Sequence, residues 1–304
     1  MGFEIYMPNL YTHAESNTRK TWLYLTFFLV FIILIGWAIS WAIDSSVILI
    51  FAVVFSIATS FFSYWYSDKI VLFLTRAKEI KKEDSPELYR LVENLCITAG
   101  LPLPKIYILE EQQLNAFATG RDPKRGVIAV TRGLLNRLDR TELEGVIAHE
   151  LSHIGNRDVL LSTIVVVLVG IIVLITDFFL RLSLWGRGSN RERGNNAIAF
   201  AVVLFLAILA PILANLMKLA ISRKREFLAD ASGALLTRYP DGLARALEKI
   251  SRDSIPLRVA NDATSHLFLD NPFKNQEAKM WLHKLFLTHP PVAERVAALR
   301  GLKI

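Results

Sequence analysis

Four apolar blocks dominate the sequence and leave few folds open to it. The first two, at about 22–43 and 47–66, are nearly uncharged, and each approaches the roughly 20 residues that a helix needs to cross about 30 Å of hydrocarbon. Two more lie at about 159–182 and 197–221. A soluble chain of 304 residues has no core large enough to bury four such helices. With only 21% charged residues it also lacks the polar surface of an ordinary soluble domain. The block at 22–43 is too long for the apolar part of a signal peptide. It runs across the short Asp44-Ser45-Ser46 turn into the second block, so the pair reads as a membrane hairpin.

Basic residues orient these spans. Arg19 and Lys20 precede the first, Lys69, Arg76, Lys78, Lys81 and Lys82 follow the second, and Arg223, Lys224 and Arg225 follow the fourth, which assigns all three positions to the cytoplasmic side. Arg187, Arg191 and Arg193, between the third and fourth spans, oppose that rule, so the second hairpin is either shallow or outvoted. The net charge of +7 is accounted for by anchoring to anionic lipid. No interleaving of basic and stacking residues points to nucleic acid. A single cysteine, Cys96, forms no internal disulfide, agrees with a reducing compartment and has packing as its expected role.

The spans divide the chain into an N-terminal segment and hairpin (1–66), a first part of a polar domain (67–158), a second hairpin (159–221) and a second part of that domain (222–304). Within 67–158, Ser85-Pro86 caps a helix that runs through Leu88, Leu91 and Leu95 to the Ala99-Gly100 stop. Strand-like runs follow at Lys105 to Leu109, Asn115 to Thr119 and Gly126 to Thr131, with 120–125 as the turn between the last two. Leu134 and Leu135 open another helical pattern. After Thr141 a further helix carries Leu143, Val146 and Ile154 towards the third span.

That helix holds the pentad His149-Glu150-Leu151-Ser152-His153. At 3.6 residues per turn, positions i and i+4 share a face, so the two imidazoles can offer neutral nitrogens to one zinc ion. Glu150 is placed to take a proton from a water held there. If the helix continues unbroken from His153 to Val159, the metal sits roughly 10 Å from the apolar block, at the membrane surface. Zinc hydrolases use a third protein ligand and keep one position open. Glu226, just after the fourth span, is the best candidate, because two spans return the chain to the face it left. Asp230, one helical turn on, can accept the outer N–H of a ligating histidine, and Asp158 is either a similar partner or a surface charge. An acidic face paired with Arg223 and Arg225 is the ordinary reading of Glu226 and Asp230 taken alone. His13 and His283 have no partner pattern, and His266 lies in a loop.

With these residues assembled, the chain resembles the HtpX-type integral-membrane zinc endopeptidases, relatives of the prenyl-protein proteases that cut near CAAX termini. The resemblance rests on the four blocks, on Asn115-Ala116-Phe117-Ala118-Thr119-Gly120 and on the pentad extended through Asn156-Arg157-Asp158. It rests equally on Glu226 to Asp230 and on Thr288-His289-Pro290-Pro291 followed by Glu294-Arg295. It implies an α-helical membrane protein with four transmembrane helices and a cytosolic α+β zincin-like (gluzincin) catalytic domain. The location implied is the bacterial inner membrane, with the site facing the cytoplasm. His149, His153 and Glu226 then look like the ligands of one Zn2+ per chain, and Glu150 like the general base. Asn115, Ala116, Phe117 and Ala118 resemble an edge strand that binds extended substrate, and His289 and Arg295 match residues that stabilise the oxyanion. A loop around 266–271 resembles a lid.

The expected activity is cleavage of misfolded or damaged membrane proteins, or other unfolded polypeptides, in quality control and stress response. A prenyl-protein (CAAX-type) protease is the nearest enzymatic alternative and calls for more spans. A membrane metal sensor or transporter is the non-enzymatic one and calls for ionisable residues along the spans. Asp177 and Arg181 lie near a span end, as do Asn215 and Lys218, so the spans offer little for transport.

Overall fold

The structure, a computed structural model, describes residues 10–165, 167–168, 170–171, 223–259, 264, 267–269 and 290–302. Most of the third span, the fourth span, Arg187, Arg191, Arg193, Asp177, Arg181, Asn215, Lys218, His266, His283 and His289 lie outside these residues.

Two long helices, α1 (Leu10–Ile43) and α2 (Ser46–Leu74), form the N-terminal hairpin. Both begin or end beyond the apolar blocks, and both contain stretches long and apolar enough to cross a membrane, Glu15–Trp37 and Ser46–Leu74. Their surface is inverted relative to a water-soluble protein. Small and polar residues of α2 (Ala52, Ser56, Thr59, Ser63, Ser67) are buried, whereas Phe27, Leu34, Phe51, Ile57, Phe61 and Phe62 are exposed. Apolar side chains have no reason to avoid lipid, and close packing of small residues holds membrane helices together. Gly36 is such a contact: a Cβ there would lie 2.1 Å from Ala52 Cβ, so the helices cross at a distance no other residue permits. Exposed Trp22 stacks on Tyr64 at 5.1 Å, with Trp65 and Tyr66 nearby in sequence, and exposed Trp37 and Trp41 mark the other end of α1, as expected of rings at two membrane interfaces.

The polar domain is built on a four-stranded sheet, β1 (Lys78–Glu79), β2 (Lys105–Leu109), β3 (Ala116–Thr119) and β4 (Val127–Thr131), in the order β1-β2-β4-β3. β2 and β4 pair in parallel, and β3 pairs antiparallel with β4 and occupies an edge. Helix α3 (Pro86–Ala99) precedes β2 and starts one residue after Ser85, whose side chain makes no capping bond. Ile106, Ile108, Ile128 and Val130 face α3, α4 (Arg132–Arg137) and α5 (Arg140–Gly155) in the main core. The alternate residues Leu109, Phe117, Val127 and Ala129 pack against Val71 and Leu72 at the end of α2. Both faces of the sheet are therefore covered, which explains why β4 reads as continuously apolar. It also explains why α2 outruns its apolar block: its last turns are the sheet's second layer.

The pentad helix does not continue into the third span. α5 ends at Gly155, Arg157 takes a left-handed φ of 56°, and α6 (158–165) begins afresh. The expected unbroken helix, and the 10 Å spacing drawn from it, are thus replaced by a turn. Leu160, Ile164 and Leu168 then pack against Leu25, Phe28, Ile32 and Ala52 of the first hairpin. After the undescribed stretch come α7 (Arg223–Thr237), α8 (Pro240–Arg252) and α9 (Val292–Arg300), all joined to the main core around α5.

Candidate active site

Helix α5 is buried along most of its middle, including Glu142, His149 and Glu150, so these polar residues must be satisfied locally. Asp139 Oδ1 accepts from Glu142 N at 2.9 Å and Glu142 Oε2 accepts from Asp139 N at 2.9 Å, a reciprocal cap whose typical value is about 1 kcal/mol. Lys249 of α8 donates to the same Glu142 carboxylate at 2.7 Å. This Asp-x-x-Glu signal was readable in the sequence and moves the helix start ahead of Thr141. Helix α7 lies directly on α5: a Cβ on Gly233 would meet His149 N at 3.0 Å, so the bare glycine sets how closely α7 approaches the pentad.

That approach brings His149, His153 and Glu226 together, with one donor atom from each lying within 4.8 Å of the others. The two Nε2 atoms face each other at 3.1 Å. Glu226 reaches them with Oε1 3.6 Å from His153 Nε2 and Oε2 3.8 Å from His149 Nε2. A tetrahedral zinc with bonds of about 2.0–2.2 Å requires donors roughly 3.3–3.6 Å apart, so the donor set suits that ion and the separations of 3.1, 3.6 and 3.8 Å bracket the required one. The outer nitrogens are held as ligating histidines require. His149 Nδ1 lies 3.0 Å from Asp230 Oδ1, and His153 Nδ1 lies 3.1 Å from Asp158 Oδ2, so each Nδ1 carries the proton and each Nε2 is turned inward.

Arg295 of α9 is 1% exposed and grips Asp230 with two bonds, Nε to Oδ2 at 2.8 Å and Nη2 to Oδ1 at 2.6 Å. Its Nη1 is 3.7 Å from Glu226 Oε2. Burial alone would raise the Asp230 carboxyl, but Arg295 and then His149 outweigh it and hold the group below the usual carboxylate range. Glu150, 3% exposed, sits beside His149 outside the three-donor set. Cys96 packs in the core far along the chain, its thiol pushed up to about 11 by burial.

For His153, burial lowers the imidazole, yet the Asp158 hydrogen bond and the charges of Glu226, Asp158 and Glu150 prevail and raise it from 6.5 to about 9. A folded value above the unfolded one stabilises the metal-free fold fully below pH 6.5, and that contribution disappears as pH rises through about 9. Metal-free protein should therefore lose stability across that window in denaturant titrations. Zinc uptake at pH 7 should release about one proton, read by calorimetry in buffers of different ionisation enthalpy.

The residues expected to bind substrate form β3 and its entry. Asn115 is fully buried: its Oδ1 accepts from Ala116 N at 3.1 Å and its Nδ2 donates to Gln113 Oε1 at 3.2 Å. Thr131 N donates to Asn115 O, so in an antiparallel pair Ala116 and Ala118 turn their main-chain groups to the edge away from β4. On that edge Leu269 N donates to Ala116 O at 3.1 Å, and Phe268 packs edge-on against Phe117 with ring centroids 5.3 Å apart. No sequence pattern marks the contacts of Phe268 and Leu269 with this strand. Nor does any mark Asn17, whose amide meets Asp158 at 2.6 Å.

Residues 82–303 match peptidase family M48. A protease HtpX homolog of Thermoanaerobacter pseudethanolicus is 44% identical over 298 residues, covering 96% of this chain and 98% of that one. Another, from Tropheryma whipplei, is 48% identical over 239 residues, 79% of this chain and 80% of its own. The crystal structure of S. mikatae Ste24p aligns at 19% identity and a TM-score of 0.49, over 92% of this chain and 66% of that one, too distant a likeness to carry weight.

Proposed function

Because the chain belongs to peptidase family M48, we propose that it is a zinc-dependent endopeptidase that cleaves misfolded or damaged membrane proteins at the cytoplasmic face of the inner membrane, in quality control and stress response. That it is a metallopeptidase of the membrane follows from the family and from the two apolar helices. The finer reading is carried by one observation, the convergence of His149, His153 and Glu226 beside Glu150. These three would hold one zinc, which when bound would supply Lewis-acid chemistry to a scissile carbonyl and to a water.

Glu150 takes the proton of the attacking water and delivers it to the leaving amine. Asp158 and Asp230 hold the imidazoles with Nε2 inward, and Arg295 holds Asp230 while setting positive charge among the carboxylates. His289, proposed as an oxyanion donor beside Arg295, is supported by the resemblance alone. Extended polypeptide adds to β3 at Ala116 and Ala118, which reads backbone rather than side chains and suits unfolded substrates. The Leu269 bond to Ala116 must open first. Four spans, with the third and fourth at about 159–182 and 197–221, complete this reading. The cytoplasmic placement draws support from the basic residues flanking the hairpin, exposed Arg19, Lys20, Lys69 and Arg76.

Full-length protein in detergent should bind about one zinc per chain and cleave an unfolded membrane-protein reporter. It should lose cleavage on chelation and regain it with one equivalent of zinc. Zinc-loaded protein that cleaves no unfolded reporter would overturn the substrate assignment.

A further inference from the structure

Asn17 lies in the first turn of the apolar stretch Glu15–Trp37, well outside residues 82–303 that carry the family match. It is 3% exposed, and an amide so buried is costly unless its donors are used. Among the described residues its side chain bonds through Nδ2, which donates to Asn156 O at 3.0 Å and to Asp158 Oδ1 at 2.6 Å. Neither partner can donate, which fixes the amide with its nitrogen inward. The other oxygen of Asp158 is the one 3.1 Å from His153 Nδ1.

The same stretch of α1 makes further contacts around it. Thr21 Oγ1 donates to Asn17 O at 2.9 Å, and Arg157 Nη1 donates to Thr18 Oγ1 at 3.4 Å. Asn17 thus closes the Asn156-Arg157 turn that separates α5 from α6, at the point where the chain must swing Asp158 back under His153. That clasp joins the bonds from Asn156 N to Ser152 O at 2.9 Å and from Arg157 N to Ile154 O at 3.2 Å in holding Arg157 left-handed, a conformation disfavoured for a residue with a Cβ.

We propose that Asn17 is a positioning residue of the metal site: acting through Asp158, it fixes the orientation and tautomer of His153, so the membrane hairpin is a working part of the catalytic centre as well as its anchor. The proposal rests on the reading of His153 as a zinc ligand, but not on what the protein cleaves.

The test uses full-length protein in detergent, with zinc alone as the probe, and reads zinc affinity by chelator competition, thermal midpoint and reporter cleavage. Asn17→Asp keeps the shape of the side chain and replaces its donor by an acceptor facing another carboxylate. It should weaken zinc binding about tenfold to a hundredfold, the usual cost of disturbing an outer partner of a ligating histidine. Asp158→Asn should do the same, because its amide nitrogen then faces either Asn17 or His153 wrongly. In the double variant, the amide nitrogen at position 158 can donate to the carboxylate at position 17 while the amide oxygen accepts from His153. Zinc affinity should therefore recover above that of Asn17→Asp alone, a coupling that mere helix docking cannot produce.

If Asn17→Asp does not fold, Asn17→Ala removes the donor without adding charge and should still cost about tenfold. Leu23→Ala, at a lipid-facing position 64% exposed, should change neither zinc affinity nor cleavage. Zinc affinity unchanged in the Asn17 variants despite a lowered thermal midpoint, or losses that simply add in the double variant, would overturn the proposal. Coupled zinc affinities in a protein that cleaves no reporter would instead retain it and reject the proposed activity.

Discussion

Glu150→Gln should leave about one zinc per chain and lower kcat by on the order of 10²–10⁴, the usual share of a general base. The substitution conserves volume, and Glu150 is not among the three residues whose donors converge, so the metal site has no reason to empty. What is lost is the capacity to accept a proton beside the attacking water. Glu150 is 3% exposed, and glutamine keeps its buried shape while removing a charge whose desolvation is costly. The thermal midpoint of the variant should therefore not fall. Metal analysis and steady-state cleavage of the same preparation check the three statements together. Equal kcat in the two proteins would remove Glu150 from the mechanism. An empty site in the variant would assign it to the metal instead.

The legibility of the fold follows the range of the forces involved. The run Lys105 to Leu109 was readable because strand pattern is local, and it is β2 to the residue. The stop of α3 at Ala99 was readable for the same reason. Hydropathy located the hairpin but missed its ends, because it reports lipid rather than helix: α1 begins at Leu10, through polar Glu15 to Lys20, and α2 runs to Leu74 to cover the sheet. Two carboxylates one turn apart on α7 suggested a role for Asp230, but nothing local could say that a guanidinium from α9 would hold it. The break after Gly155 was hidden by the apolar run beyond it. Asn17 and Asp158 stand 141 positions apart, and no periodicity spans that distance.

The largest effect on stability is expected at Arg295. Arg295→Met keeps much of the buried volume but leaves Asp230 a carboxylate that is 2% exposed, with Glu226 at 5% beside it. Removing one partner of a buried pair typically costs about 3–5 kcal/mol, because the remaining charge keeps its desolvation penalty and loses its compensation. The sign of the pH response should also reverse. In the intact protein the depressed Asp230 contributes stability above the ordinary carboxylate range, lost only as pH falls through its lowered value. Without the guanidinium, burial governs and raises Asp230 above its unfolded value, so on mild acidification the variant should regain part of its deficit relative to the intact protein, beyond the His153 contribution that both proteins share. Asp230→Asn in the Arg295→Met background removes the stranded charge and should recover stability relative to Arg295→Met alone. It should not recover zinc affinity fully, since an amide is a weaker and less directional partner for His149 Nδ1 than a carboxylate. Urea midpoints at pH 5.5 and 7.5, with zinc titrations on the same three proteins, would separate these contributions. A deficit that is the same at both pH values would mean that Arg295 acts through packing instead of charge.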